Sequence, residues 1–191
     1  MKSLKEMEEY AKANYVPIIR KANIEFLEQF INEHKCFKIL ELGTAIGYSA
    51  IRMAMANSKV SVTTIERNEE MYLMAKENVE DFGLSGQINL IFKDIFDFTS
   101  EDKYDLIFID AAKAQYIKFF ELFKDNLNRD GYIISDNLEL KDLQRLTQSK
   151  RSKRLVQKMQ DYKQFLLSLE GYTTEFIDIG DGFAVTRVNQ E

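Results

Sequence analysis

The chain has 191 residues, with 26 Lys and Arg against 31 Asp and Glu, for a formal net charge of −5. That length can bury a real core in one domain, and 45% hydrophobic with 30% charged residues is ordinary globular composition, which excludes disordered and collagen-like classes. A lone Cys36 and a lone His34 exclude a disulfide framework, a thiolate zinc cluster and His-rich metal sites.

Residues 3–34 read as two helices broken near Tyr15-Val16-Pro17, because proline disfavours helical geometry in the residue before it. In the second, Ile24, Leu27, Phe30 and Ile31 recur at helical spacing, and His34 falls near its end. Cys36 reads as a small apolar packer ahead of the first strand. Apolar runs then alternate with helical patterns. Strands are expected at 37–42, 60–65, 88–92, 106–109 and 132–134, and helices at about 47–57, 68–83 and 114–127. Phe119, Phe120 and Phe123 follow helical spacing and read as core, and Asn128-Arg129-Asp130-Gly131 reads as a turn before the fifth strand. A basic helix over 150–168 leads to strands at 172–179 and 183–188, joined at Gly180-Asp181-Gly182 as a hairpin. Near-continuous apolar strands alternating with helices imply an α/β fold: a mostly parallel sheet with helices on both faces, closed by one reversed strand. With no repeat, low-complexity tract or linker, residues 1–191 are expected to form one domain, with N-terminal helices over 1–34 and an α/β core over 36–191.

In open parallel sheets, ligands bind beyond the carboxyl ends of the strands. After the first strand comes Glu41-Leu42-Gly43-Thr44-Ala45-Ile46-Gly47-Tyr48-Ser49, where small residues let the backbone approach a ligand and a helix N-terminus favours anionic groups. The second strand ends in Glu66, at about the spacing where an acid holds ribose hydroxyls. The loop lacks the Gly-x-Gly-x-x-Gly spacing of a pyrophosphate cradle, which points to a nucleoside with a short tail. Strand four ends at Asp110, with Lys113 one turn on, and strand five ends in Ser135-Asp136-Asn137. On neighbouring strands, Asp110, Asp136 and Asn137 would form a hard, oxygen-only set suited to Mg²⁺.

The charge is uneven. The window 141–163 holds Lys141, Arg145, Lys150, Arg151, Lys153, Arg154, Lys158 and Lys163 against Asp142 and Asp161, a net +6 within an acidic chain. Broad, indiscriminate DNA binding is excluded by the overall balance, but an RNA held along one basic face is not. The bland reading of the same helix is a solvated face. No uncharged apolar stretch is long enough to span a bilayer, and the start, Met1-Lys2-Ser3-Leu4-Lys5-Glu6, lacks the apolar core of a secretion signal. No membrane partner and a cytoplasmic location are therefore expected.

The sequence resembles the cation-dependent class I O-methyltransferases, the group that holds catechol and caffeoyl-CoA O-methyltransferases. The likeness is carried by Tyr15-Val16-Pro17-Ile18, the run from Ile39 to Arg52, Thr64-Ile65-Glu66-Arg67-Asn68, the run from Ile107 to Lys113, and Gly180-Asp181-Gly182. The basic stretch from Lys150 to Arg154, followed by Leu155-Val156 and Tyr162, resembles the bacterial branch that methylates 5-hydroxyuridine in tRNA. The resemblance implies a Rossmann-like methyltransferase fold with a seven-stranded sheet, and S-adenosylmethionine held against Val16, Gly43, Tyr48, Ser49, Glu66, Asp94, Ile95 and Asp110. It further implies Mg²⁺ on Asp110, Asp136 and Asn137, Lys113 as the catalytic lysine, a homodimer, and tRNA contacts from Lys150, Arg151, Lys153 and Arg154. After Asn137, the run from Leu138 to Asp142 lacks the glycine that the family pattern would place there.

On this basis the expected reaction is methylation of 5-hydroxyuridine at the tRNA wobble position to 5-methoxyuridine. The alternative is a small catechol-type acceptor, since both present two adjacent oxygens to a metal. Lys113 could take the proton or stabilise the oxyanion. A non-catalytic RNA-binding or nucleoside-sensing protein would need the loop and Glu66 but not Lys113 and three metal ligands.

Overall fold

The structure is a computed structural model that describes residues 1–138 and 150–189. Its strands are β1 Lys38–Leu42, β2 Ser61–Glu66, β3 Ile88–Phe92, β4 Tyr104–Ile109, β5 Leu127–Ser135, β6 Tyr172–Ile177 and β7 Phe183–Val188. They form one seven-stranded sheet in the order β3-β2-β1-β4-β5-β7-β6. Every pairing among β1 to β5 is parallel, while β7 runs antiparallel to both β5 and β6. The helices are α1 Leu4–Ala13, α2 Lys21–His34, α3 Tyr48–Ala56, α4 Glu69–Asp81, α5 Tyr116–Phe123 and α6 Lys150–Ser168. Residues 139–149 and 190–191 lie outside the described residues. These include Lys141 and Arg145 of the basic window and most of the run after Asn137; the Arg151 side chain also lies outside them.

The apolar strands are explained by burial on both faces. Ile39, Leu106, Phe108 and Ile134 pack in one layer with α1, α2 and α3. Their neighbours Leu40, Leu42, Ile107, Ile109 and Ile133 point the other way, onto α5 and α6. The three phenylalanines of α5, Phe119, Phe120 and Phe123, are buried there, and Cys36 is buried beside β1. Helix starts are fixed locally: Ser3 Oγ accepts from the Glu6 N–H at 3.2 Å, and Asn68 Oδ1 from the Met71 N–H at 3.0 Å. Among the described residues, no helix is long and apolar enough to cross a membrane.

Three expectations need correcting. Asn128 to Gly131 do not form a turn ahead of β5; they lie inside it as an irregularity, where the register with β4 jumps from Tyr104↔Leu127 to Leu106↔Tyr132. The turn-like composition marks the excursion, but pairing on both sides of it keeps one strand. The helix expected over 114–127 is the shorter α5, flanked by 3₁₀ turns at Lys113–Gln115 and Lys124–Asn126. β6 stops at Ile177, so the hairpin is closed by the five residues 178–182, within which Gly182 N–H donates to Ile179 O at 2.9 Å.

Candidate active site

The loop after β1 is built by backbone geometry. Gly43, Ala45 and Gly47 all take positive φ, at 103°, 48° and 83°. At Gly43 a Cβ would overlap the carbonyl oxygen of Asp110, so only glycine lets this loop lie against the end of β4. The turn then delivers the N-terminus of α3. At the end of β2, Glu66 Oε2 accepts from Ala45 N–H at 2.9 Å, while Oε1 accepts from Arg67 N–H at 3.0 Å and Asn68 N–H at 2.8 Å. Three backbone donors thereby aim one carboxylate. Across from it, Asp94 accepts from Phe96 N–H and from Arg67 Nη1, each at 3.0 Å. The Phe96 N–H and then the Arg67 guanidinium hold the Asp94 carboxyl below its ordinary value.

Beneath the loop lies a buried polar knot. Glu41, between Leu40 and Leu42 of β1, has no exposed surface and accepts from Ser49 Oγ and from Thr64 Oγ1, each at 2.5 Å. Burial pushes its carboxyl up to about 8, against the lowering effect of those two hydroxyls. Tyr48 is held as firmly: its hydroxyl donates to Glu8 at 2.6 Å and accepts from Arg52 at 2.9 Å.

At the ends of β4 and β5, the Asn137 Nδ2 group reaches Asp110 Oδ1 at 3.4 Å and Asp136 Oδ2 at 3.2 Å. Asn137 takes a left-handed φ of 60°, which turns the chain back at the strand end. Burial raises both carboxyls; Lys113 opposes this at Asp110, while repulsion from Asp110 adds to it at Asp136. Lys113 is half-buried, and burial lowers its ammonium against the pull of Asp110, Asp136 and Asp181. Among the described residues, no three His, Cys, Asp or Glu side chains gather as a metal site. The candidate set is two carboxylates completed by an amide. It fits a hard divalent cation, because two like charges, one buried and one half-buried, need a compensating one and the bridging amide can offer its oxygen after half a turn.

These groups share one cleft of about 490 Å³ beyond the carboxyl ends of the strands. Gly43, Tyr48, Ser49, Glu66, Asp94, Ile95, Asp110, Lys113 and Asn137 all line it. Asp136 lies just behind, 1% exposed. Val16 is not among the residues that line the cleft. Its N–H closes the end of α1 on Ala11 O, its side chain packs into the core with α1 to α3, and Pro17, Ile18 and Ile19 line the cleft instead. Lys150, Lys153 and Arg154 are exposed on α6. That helix packs against the Lys113–Gln115 turn, with Tyr162 bonded to Ser135 at 2.6 Å. Two residues with no expected role also belong here. Glu41 is signalled by a charge inside an apolar strand, and Asn23 by an amide on the apolar face of α2.

The family model for O-methyltransferases matches residues 1–188. The chain is 30% identical over 131 residues to a catechol O-methyltransferase of Niastella koreensis, a match spanning 59% of this chain and 59% of that protein. It is 24% identical to a flavonoid 3',5'-methyltransferase of Vitis vinifera, over 95% of this chain and 82% of the relative. A solved structure from Staphylococcus aureus, provisionally named a caffeoyl-CoA O-methyltransferase, superimposes with a TM-score of 0.91 at 36% identity, covering 98% of this chain and 92% of that one. The O-methyltransferase of Bacillus cereus, solved with S-adenosylhomocysteine, shares the fold with a TM-score of 0.83 at 23% identity, over 97% and 90% of the two chains. The sheet order with its reversed β7 is thus the Rossmann-like methyltransferase fold. Matched from its first helix into its last strand, the chain belongs to the O-methyltransferase family.

Proposed function

We propose that the protein transfers the methyl group of S-adenosylmethionine to one of two adjacent oxygens of an acceptor, and that this acceptor is wobble 5-hydroxyuridine in tRNA, giving 5-methoxyuridine. The observation that carries the reading is the single cleft with Glu66 at one end and Asp110, Asn137 and Lys113 at the other. Glu66, aimed by three backbone donors, suits the paired hydroxyls of a ribose, and Ile95 and Phe96 offer apolar surface for a base. The cleft volume is that of a small-molecule site.

In the reaction the acceptor oxygen displaces sulfur in line: the carbon–sulfur bond breaks as the carbon–oxygen bond forms, the bonding pair stays on sulfur, and the hydroxyl proton leaves. Asp110, Asp136 and Asn137 would hold Mg²⁺, which would supply Lewis acidity to the acceptor. Lys113 lines the same cleft, where as an ammonium it would stabilise the developing oxyanion and as an amine it would take the proton. The lowering of its pKa by burial brings the amine form closer to neutrality.

The exposed Lys150, Lys153 and Arg154 favour an RNA acceptor, because the helix that carries them, α6, also packs against the Lys113 turn, and phosphate contacts along it would hold an RNA loop. The names of the curated relatives favour a second reading, a free catechol-type acceptor. One assay separates them. The protein is incubated with labelled S-adenosylmethionine, Mg²⁺ and either hypomodified tRNA or catechol, and the digested nucleosides are analysed by mass spectrometry. The expected result is labelled 5-methoxyuridine, lost on EDTA treatment and restored by Mg²⁺. Rapid catechol methylation without 5-methoxyuridine would establish the second reading.

A further inference from the structure

Asn23 lies on the first turn of α2 and is wholly buried. Its Nδ2 donates to Asp136 Oδ1 at 2.6 Å, and its Oδ1 accepts from the Asp181 N–H at 3.3 Å. A backbone N–H can only donate, so the amide has one possible orientation: oxygen toward the 178–182 loop, nitrogen toward Asp136. The loop is shaped to receive it. A Cβ on Gly180 would overlap Asn23 Oδ1, and Gly180 also takes a positive φ of 57°. One turn earlier, Arg20 pairs with the Asp181 carboxylate at 2.6 Å, so the start of α2 grips this loop twice.

The consequence falls on one oxygen. Asp136 Oδ1 receives two strong donors, Asn23 Nδ2 at 2.6 Å and the Asn137 N–H at 2.7 Å. Among the described residues, Oδ2 receives only the Asn137 amide at 3.2 Å, the same amide that reaches Asp110. We infer that Asn23 is a positioning residue that saturates Oδ1 of Asp136 and so leaves Oδ2 as the oxygen offered to the cation, tying cation affinity to the docking of α2 on the hairpin loop. Asn23 does not line the cleft, so its effect runs through Asp136. The inference rests on the reading that Asp136 holds a cation, and it adds the residue that decides which of its oxygens does so.

Mn²⁺ binding to the full chain, followed by electron paramagnetic resonance with Mg²⁺ as competitor, tests it alongside S-adenosylmethionine affinity and thermal melting. Asn23→Ala should weaken Mn²⁺ binding about ten- to hundred-fold, the range for groups that orient a metal ligand, with S-adenosylmethionine affinity unchanged. Gly180→Ala should do the same by displacing the Asn23 amide without altering Asn23 or Asp136. The double variant should be no weaker than Asn23→Ala, since the truncated side chain leaves room for the new methyl. If Asn23→Ala does not fold, Gly180→Ala decides alone. Unchanged Mn²⁺ affinity in the folded variants, with affinity lost in Asp136→Ala, would overturn the positioning role only. Unchanged affinity in Asp136→Ala would overturn the cation reading and this inference with it. Equal losses of Mn²⁺ and S-adenosylmethionine affinity would show a merely structural residue and also overturn it.

Discussion

Glu41 lies in β1 between the apolar Leu40 and Leu42, and it is held by two hydroxyls from α3 and β2. A carboxyl whose pKa is higher folded than unfolded supports folding fully below its unfolded value, and that contribution is lost as pH rises through about 8. Glu41→Gln cannot ionise. It should therefore gain stability relative to wild type between about pH 5 and 8, by up to about 1.4 kcal/mol per pH unit. Urea unfolding across that range checks this, and parallel pH profiles for the two proteins would refute it. Gly43 makes a second prediction. Gly43→Ala forces a methyl into the Asp110 carbonyl at a φ that only glycine takes readily, so it should abolish S-adenosylmethionine binding and cost about 2 kcal/mol or more of stability. Calorimetric titration of the purified variant reads the first effect, and wild-type affinity would show that the loop can retreat.

At the scale of elements, α6 combines an anchoring face with a charged one. Its buried face is fixed by Met159, Tyr162 and Leu166, with the Tyr162 ring edge-on to Tyr116 at 5.3 Å. Its other face presents Lys153, Arg154 and Lys158 to solvent. Because the anchoring residues are separate from the charges, Lys153→Glu with Arg154→Glu should leave the fold and catechol-sized turnover intact. The same pair should weaken tRNA binding, and the slope of log affinity against log salt should become shallower by roughly 0.7 to 0.9 for each phosphate the helix no longer neutralises. Filter binding at several salt concentrations measures this; unchanged tRNA affinity would reduce the charges to a solvated face. The charge pattern of α6 was legible in sequence because it is local, whereas its packing against the Lys113 turn was not. The reverse holds for β5, whose Asn-Arg-Asp-Gly composition reads as a turn until pairing with β4 on both sides shows one interrupted strand.

Across the whole molecule, the sheet separates two apolar layers and carries the site on its edge. Phe108 is fully buried in the layer shared with α1 to α3, two residues before Asp110 at the strand end. Phe108→Ala should cost about 3–5 kcal/mol, the range for emptying an aromatic core site, seen as a lower urea midpoint. A loss below about 1 kcal/mol would mean the layer collapses freely around the hole. The site depends on this rigidity, since Asp110 and Asp136 meet only because β4 and β5 are neighbours in register, with Ile109 opposite Ser135.

Period and residue type within short windows determined the alternation of strands and helices, the two-faced burial of the sheet, the small-residue loop, Glu66 at its strand end, and the candidate set of Asp110, Asp136 and Asn137. Each piece is written in neighbouring residues at one strand or strand end, and the rule that parallel sheets bind at their carboxyl edge supplied the assembly of the separate strand ends. Only the tertiary structure decided that Val16 packs its partly buried side chain against the α1 to α3 layer, that Glu41 is sealed by α3 and β2, and that Asn23 meets Asp136 across 113 positions of chain. Those contacts depend on how α2 docks against the hairpin loop and how strands align. A local hydrophobic period says which face of a helix is buried, but not which distant side chain waits beneath it.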